Sequence, residues 1–222
     1  MIARIARRLR HGDEGLSLVE LLVSSFLGLL ILVTAGALMI SATRASSIQT
    51  VSDVNTRGAS TAMNTMTRYF HAATTYPVAT QQTPLPAFAS MSATDVTFYA
   101  YVNLVNTSAQ PVKVRYFIDP MAKHLVQQLY PSTCSASTGY CIFSSTSTQI
   151  DLGGPVVSPT SDGAALFVYL NAGGVTTTDA RVVQSVQINL EYGSSTAGNA
   201  GDSHLTSTVA LLNVGQFGGS TS

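Results

Sequence analysis

Charge is scarce in this sequence. Only 10% of its 222 residues are Asp, Glu, Lys or Arg, with 11 of each sign and a formal net charge of zero. A chain so balanced lacks the basic excess of a nucleic-acid-binding protein. Cysteine is rarer still, with Cys134 and Cys141 the only pair. Two nearby thiols without a second pair do not make a zinc site. The chain also has no Gly-rich phosphate loop and no calcium loop of alternating acids, so no metal or cofactor is expected. The histidines His11, His71, His124 and His204 are scattered. Asp202-Ser203-His204 has the residue types of a catalytic fragment, but no nucleophile elbow or oxyanion loop accompanies it. It reads as a solvated loop, and no catalytic residue or enzyme activity is expected. Proline is missing from Ser41 to Ala73, so nothing in that stretch forbids a helix.

What charge there is falls unevenly. Arg4, Arg7, Arg8 and Arg10 crowd the first ten residues, directly before an apolar run from Leu16 to Ile40. About 20 apolar residues suffice to span a bilayer. By the positive-inside rule the N-terminus stays in the cytoplasm and everything after Ile40 is exported. The exported part is nearly neutral and rich in Ser, Thr, Gly and Asn, as suits a β-rich domain facing water. An oxidising exterior makes a local Cys134–Cys141 disulfide the leading reading of the two thiols. One residue is out of place in the apolar run, and that is Glu20. A carboxylate at the centre of a spanning helix costs about 2.5–3.5 kcal/mol on insertion scales, and such residues are usually functional. Glu20 lies near the end of the run, where the cost is lower.

Three readings compete for the first forty residues. A secretory signal peptide accounts for the arginines, and Ala35-Gly36-Ala37 offers a small-residue cleavage site. Its apolar core should be only about 7–15 residues long, however, and should not begin with an acid. A plain membrane anchor explains the length but leaves Glu20 without a purpose. The third reading takes the residues together: a short basic leader, Gly15, a hydrophobic Leu16, then Ser17-Leu18-Val19-Glu20 and the apolar run. This arrangement resembles the signature of the type IV prepilins at each diagnostic position. Leu16 departs from the commonest residue there, which is Phe. Asp13 and Glu14 beside the cut have no account beyond solvated charge.

The resemblance implies cleavage after Gly15 by a prepilin peptidase on the cytoplasmic face, with N-methylation of Leu16. The helix remains after cleavage. The new amine at Leu16 lies at the positive end of a helix dipole, where a carboxylate is favoured. In a bundle of such helices, Glu20 of one subunit can neutralise the amine of its neighbour. The competing role for Glu20 is to cap its own helix.

The helical pattern continues past Ile40. Ile48, Val51, Ala59, Ala62, Met63, Met66, Tyr69 and Phe70 recur at three- and four-residue steps, with polar residues between them. This predicts an amphipathic continuation packed under a sheet, ended by Pro77, in a helix of about 57 residues overall. Strand signals follow. Val96, Phe98, Ala100, Val102 and Leu104 alternate with Thr97, Tyr99, Tyr101 and Asn103. Val112–Ile118 and His124–Tyr130 flank a hairpin turn at 119–123. Further strands are expected at 164–170, 181–192 and 205–214, the last two joined as a hairpin by a Gly/Ser/Asn loop. Segments 78–92 and 131–163 read as loops. The alternating Tyr99 and Tyr101 offer a binding surface as one reading, but aromatics at alternate strand positions more often cover the helix, and that is the expectation for them.

A long N-terminal helix followed by an antiparallel sheet is an α+β fold. The expected organisation is a leader (1–15), a membrane or filament-core helix (16–40), an amphipathic continuation (41–76) and an exported β domain (77–222). Arg68-Tyr69-Phe70, the Phe98-Tyr99 strand, the Tyr116–Tyr130 hairpin and Thr208–Asn213 resemble the PilW and type II secretion J-type minor pilins. That implies a structural subunit that primes or caps a pilus or secretion pseudopilus, with other major and minor pilins as partners. The alternative is a pilus-displayed binding module, an adhesin or a DNA-uptake receptor. Replacing Gly15 with a bulky residue should leave a full-length precursor on a mass-resolved blot. Normal maturation of that variant would refute the prepilin reading.

Overall fold

The structure, a computed structural model, describes residues 17–76, 85–102, 110–135, 140–193 and 201–214. It has one long N-terminal apolar helix and a C-terminal antiparallel β domain, an α+β fold as expected. Helix α1 runs over Leu18–His71, 54 residues, with Glu20 in its first turn. The described residues up to Ser47 form one compact unit and those from Ile48 onward form a second.

In the first unit α1 is uncovered. Every described residue from Ser17 to Ser47 is exposed, including a nearly unbroken series of Leu, Val, Ile and Phe. This is the stretch that makes α1 long and apolar enough to cross a membrane. Several of its hydroxyls bond back within the helix. Ser24 Oγ donates to the Glu20 carbonyl at 2.7 Å, Thr34 Oγ1 to the Ile31 carbonyl at 2.9 Å and Thr43 Oγ1 to the Met39 carbonyl at 2.8 Å. Such back-bonding lets polar side chains sit on an apolar surface without needing water.

In the second unit α1 is amphipathic. Ala59, Ala62, Met63, Met66, Tyr69 and Phe70 are buried, as the three- and four-residue spacing predicts. Ile48 and Val51 are a correction to that stripe, since they remain 44% and 52% exposed. The sheet begins to cover the helix only about two turns later. At Gly58 the helix lies close under strand residues: a Cβ there would be 3.4 Å from Cε2 of Tyr192. The helix ends at His71 rather than at Pro77, because the chain turns at once into the sheet. Ala73 bridges to Ala100 and Thr74 to Asn213, and the Thr74 N–H donates to the Tyr99 carbonyl at 2.9 Å.

A five-stranded antiparallel sheet has the order β1-β2-β3-β4-β7. Its strands are β1 (Phe88–Met91), β2 (Asp95–Ala100), β3 (Val112–Ile118), β4 (Leu125–Tyr130) and β7 (Thr148–Gly153). A short ribbon pairs β5 (Ser132–Cys134) with β6 (Cys141–Phe143). A three-stranded sheet joins β10 (Ser203–Ala210), β9 (Ser185–Tyr192) and β8 (Phe167–Leu170) in that order. The expected β3–β4 and β9–β10 hairpins are present. The β3–β4 turn is held by the Asp119 carboxylate, which accepts the N–H groups of Met121 and Ala122, each at 2.8 Å. Lys123 completes it with a left-handed φ of 59°.

Four strands fall inside segments that read as loops: β1 within 78–92, and β5, β6 and β7 within 131–163. Each has a reason to escape a pattern search. Strands β5 and β6 have three residues apiece. Strand β7 is an edge strand whose first four residues are all exposed, so it carries no apolar alternation. Strand β1 pairs with β2 through an irregular register.

Phe70 organises the core. Its ring stacks on Phe98 of β2 at 4.6 Å between centroids and lies 6.0 Å from both Tyr116 of β3 and Phe167 of β8. One helical side chain therefore touches both larger sheets. The sheets are also tied directly, since Tyr192 Oη of β9 donates to the Leu152 carbonyl of β7 at 3.0 Å, and Tyr169 Oη of β8 donates to the Ser92 carbonyl just after β1 at 2.9 Å. Tyr116 is fully buried, and Gln127 Nε2 donates to its hydroxyl at 2.7 Å. Burial pushes the Tyr116 phenol well above its ordinary pKa, so it stays protonated. Phe70→Ala should lose about 3–5 kcal/mol of unfolding free energy. Denaturant unfolding in detergent reads this directly, and a loss under about 1 kcal/mol would refute the central role of that ring.

Candidate functional site

The first candidate region is the start of α1. Ser17 precedes the helix, and its carbonyl accepts the N–H groups of Glu20 at 2.8 Å and Leu21 at 3.1 Å. This places Glu20 at the positive end of the helix dipole, where its carboxylate is favoured. Among the described residues, no side chain pairs with that carboxylate, and the residues around it are exposed Leu and Val. The helix therefore carries an acid on an uncovered apolar surface. In a low-dielectric setting a carboxylate needs a cationic partner. Gly15 and Leu16, the expected cleavage and methylation positions, lie outside the described residues.

The second region is the ribbon of β5 and β6. Cys134 and Cys141 face each other in register and are joined by the expected disulfide. The ribbon is fastened to the domain beside the bridge. Phe143 packs against Tyr99 at 5.0 Å and against Tyr76 at 5.1 Å, and those two rings are 5.2 Å apart. Burial, and then the neighbouring Tyr76, raise the Tyr99 phenol above its ordinary pKa.

This trio corrects the expectation for the alternating aromatics. Phe98 faces inward and stacks on Phe70, so Tyr99 must lie on the opposite face of β2. Tyr101 is 43% exposed and does not cover the helix either. The outer face of the five-stranded sheet was not legible as a site in the sequence, because its residues come from separate strands. Cross-strand register places Tyr99, Lys113 and Tyr130 side by side in one row. Lys113 Nζ sits 4.3 Å from the centroid of the Tyr130 ring. The adjacent row holds Thr97, Arg115, Gln128 and Gln149. Arg115 is paired with Asp95 and lies over Phe117 at 4.6 Å. The Tyr130 hydroxyl donates to Gln128 Oε1 at 3.0 Å. The period-two pattern of Lys113, Arg115 and Phe117 along β3 is the one signal that could have found this face.

The described histidines, His71, His124 and His204, do not form a shared site, and His11 lies outside the described residues. His71 Nδ1 meets the Ala210 carbonyl at 3.0 Å, and His124 Nδ1 meets Asp151 Oδ2 at 2.8 Å. The hydrogen bond from His124, followed by that from the Gly153 N–H, holds the Asp151 carboxyl below its usual range. In Asp202-Ser203-His204, Ser203 is buried opposite Tyr192 while His204 is exposed opposite Glu191. Neighbouring strand residues point to opposite faces, so this hydroxyl and imidazole cannot act together. That stretch opens strand β10 rather than lying in a loop. Glu191 is buried and accepts the backbone N–H of Ser161 at 2.7 Å and its hydroxyl at 3.0 Å, which pins the 157–166 segment to β9. Among the described residues, no group of three or more His, Cys, Asp or Glu side chains is placed to hold a metal ion.

No protein-family model matches the sequence, and no curated protein matches it. The disulfide is open to direct test. Alkylation of the denatured but unreduced protein should label neither cysteine. Replacing both Cys134 and Cys141 with Ser should lower the unfolding free energy by about 2.5 kcal/mol on the chain-entropy account. Labelling of either thiol before reduction would disprove the bridge in the isolated protein.

Proposed function

We propose that this protein is a minor pilin or pseudopilin, a structural subunit that enters a type IV pilus or secretion pseudopilus through α1 and helps prime or cap its assembly. One observation carries the reading. An acid stands in the first turn of an apolar helix that is bare over its first half and then runs without a break into the core of a β domain. A signal peptide would be removed, and a simple anchor has no use for the acid. A subunit that leaves the bilayer to join a helical bundle uses both features.

In this mechanism the chain first sits as a single-pass membrane protein with its β domain exported. Prepilin peptidase cuts after Gly15, and Leu16 becomes the methylated N-terminus. Glu20 then neutralises the terminal amine of an adjacent subunit as the apolar helix moves from lipid into the filament core. An unpaired carboxylate in that core is costly, so the pair sets the axial register of the incoming subunit. The partners are other major and minor pilins, and the work is association rather than catalysis.

A second reading, a pilus-displayed binding module, is favoured by the row of aromatic and cationic side chains on the outer sheet face. The two readings are compatible, since a filament subunit can display a surface. Glu20→Ala should leave cleavage intact but reduce co-purification with sheared filaments. Undiminished incorporation would remove Glu20 from the mechanism.

A further inference from the structure

We propose that the outer face of the five-stranded sheet binds carbohydrate, with Tyr99 and Tyr130 as stacking platforms on either side of Lys113. This goes beyond a filament role and does not depend on it, because the surface belongs to the β domain of a single subunit.

Sugar recognition asks for two kinds of group on one flat surface. Aromatic rings cover the apolar C–H faces of pyranose rings, and planar polar side chains bind vicinal hydroxyls in pairs. Both kinds are present in adjacent rows. Tyr99 and Tyr130 stand two strands apart in one register row, about 10 Å at ordinary strand spacing, which is close to the span of a disaccharide. The next row supplies Arg115, Gln128 and Gln149. These planar groups are already oriented: Arg115 by Asp95, Gln128 by the Tyr130 hydroxyl, and Gln149 by Gln128 at 3.5 Å. Such preorganisation lowers the entropic cost of binding. Phe143 and Tyr76 extend the aromatic surface beyond Tyr99.

Charge selects among possible partners. Of the two cations in these rows, Arg115 is neutralised by Asp95, which leaves Lys113, held over the Tyr130 ring, as the one cation there without a carboxylate partner among the described residues. A single cation is not a charged track. A nucleic-acid strand needs a positively charged track beside its stacking rings. A hydrophobic protein partner needs aliphatic surface, whereas the half-exposed side chains in these two rows are aromatic, polar or charged. A neutral glycan meets both conditions.

The test uses the full-length protein in an amine-oxide detergent, which has no sugar headgroup to compete. Retention is measured on insoluble cellulose, chitin and granular amylose, alongside fluorescence anisotropy with a single-stranded oligodeoxythymidine. The expected result is retention on at least one polysaccharide, weakened about ten-fold by Tyr130→Ala and reduced by Lys113→Gln. Met121→Ala, in the β3–β4 turn, should leave retention unchanged. Near-UV circular dichroism checks that each variant is folded, and a variant that fails this check is replaced by Tyr130→Leu. Retention on none of the three polysaccharides overturns the assignment, as does retention indifferent to both Tyr130 and Lys113. Salt-sensitive oligodeoxythymidine binding without polysaccharide retention also overturns it and gives the face to nucleic acid. Since unassembled protein is used throughout, none of these outcomes bears on filament entry.

Discussion

The rest of the β domain depends on the aromatic stack at Phe70. Its ring joins the end of α1 to Phe98 and Tyr116 of one sheet and to Phe167 of the other. Both sheets are small, and each needs an apolar partner for its inner face. The helix supplies that partner with a short stripe from Ala59 to Phe70. Because the contacts are rings at fixed separations, they also set which residues of β2 and β3 face inward. The inward set in turn decides what lies on the opposite side.

The helix carries two environments in one element. From Ser17 to Ser47 it is bare, and several of its hydroxyls bond back to its own carbonyls. From Ala59 onward one face of it packs into the core of the β domain. Between the two, Ile48 and Val51 remain exposed although the spacing marks them as core. Periodicity reports which face of a helix is apolar. It does not report where a covering sheet begins. In the proposed filament role the bare stretch would serve first in lipid and then among neighbouring helices, and Glu20 would be the group whose environment changes most.

Period two along the strands links the core to the outer surface. Once Phe98 stacks on Phe70, Tyr99 is forced outward, and the same logic sends Lys113 and Arg115 away from Val114 and Tyr116. Antiparallel register then brings residues from three strands into one row. The disulfide ribbon adds Phe143 to the end of that row. No short segment of the chain contains this constellation.

The sequence by itself determined the long helix, its apolar first half, the position of the lone acid, the α+β class and the two regular hairpins. Each of these rests on local periodicity or on the chemistry of a few adjacent residues. It also determined the cysteine pairing, because only two thiols exist and they are close in the chain. Tertiary structure alone decided the edge strand β7, the three-residue strands β5 and β6, and the outward aromatic row. Edge and ribbon strands are stabilised by neighbours and need no apolar alternation of their own, so they leave little local trace. The row exists only through cross-strand register, which brings together residues as far apart in the chain as Tyr99 and Tyr130.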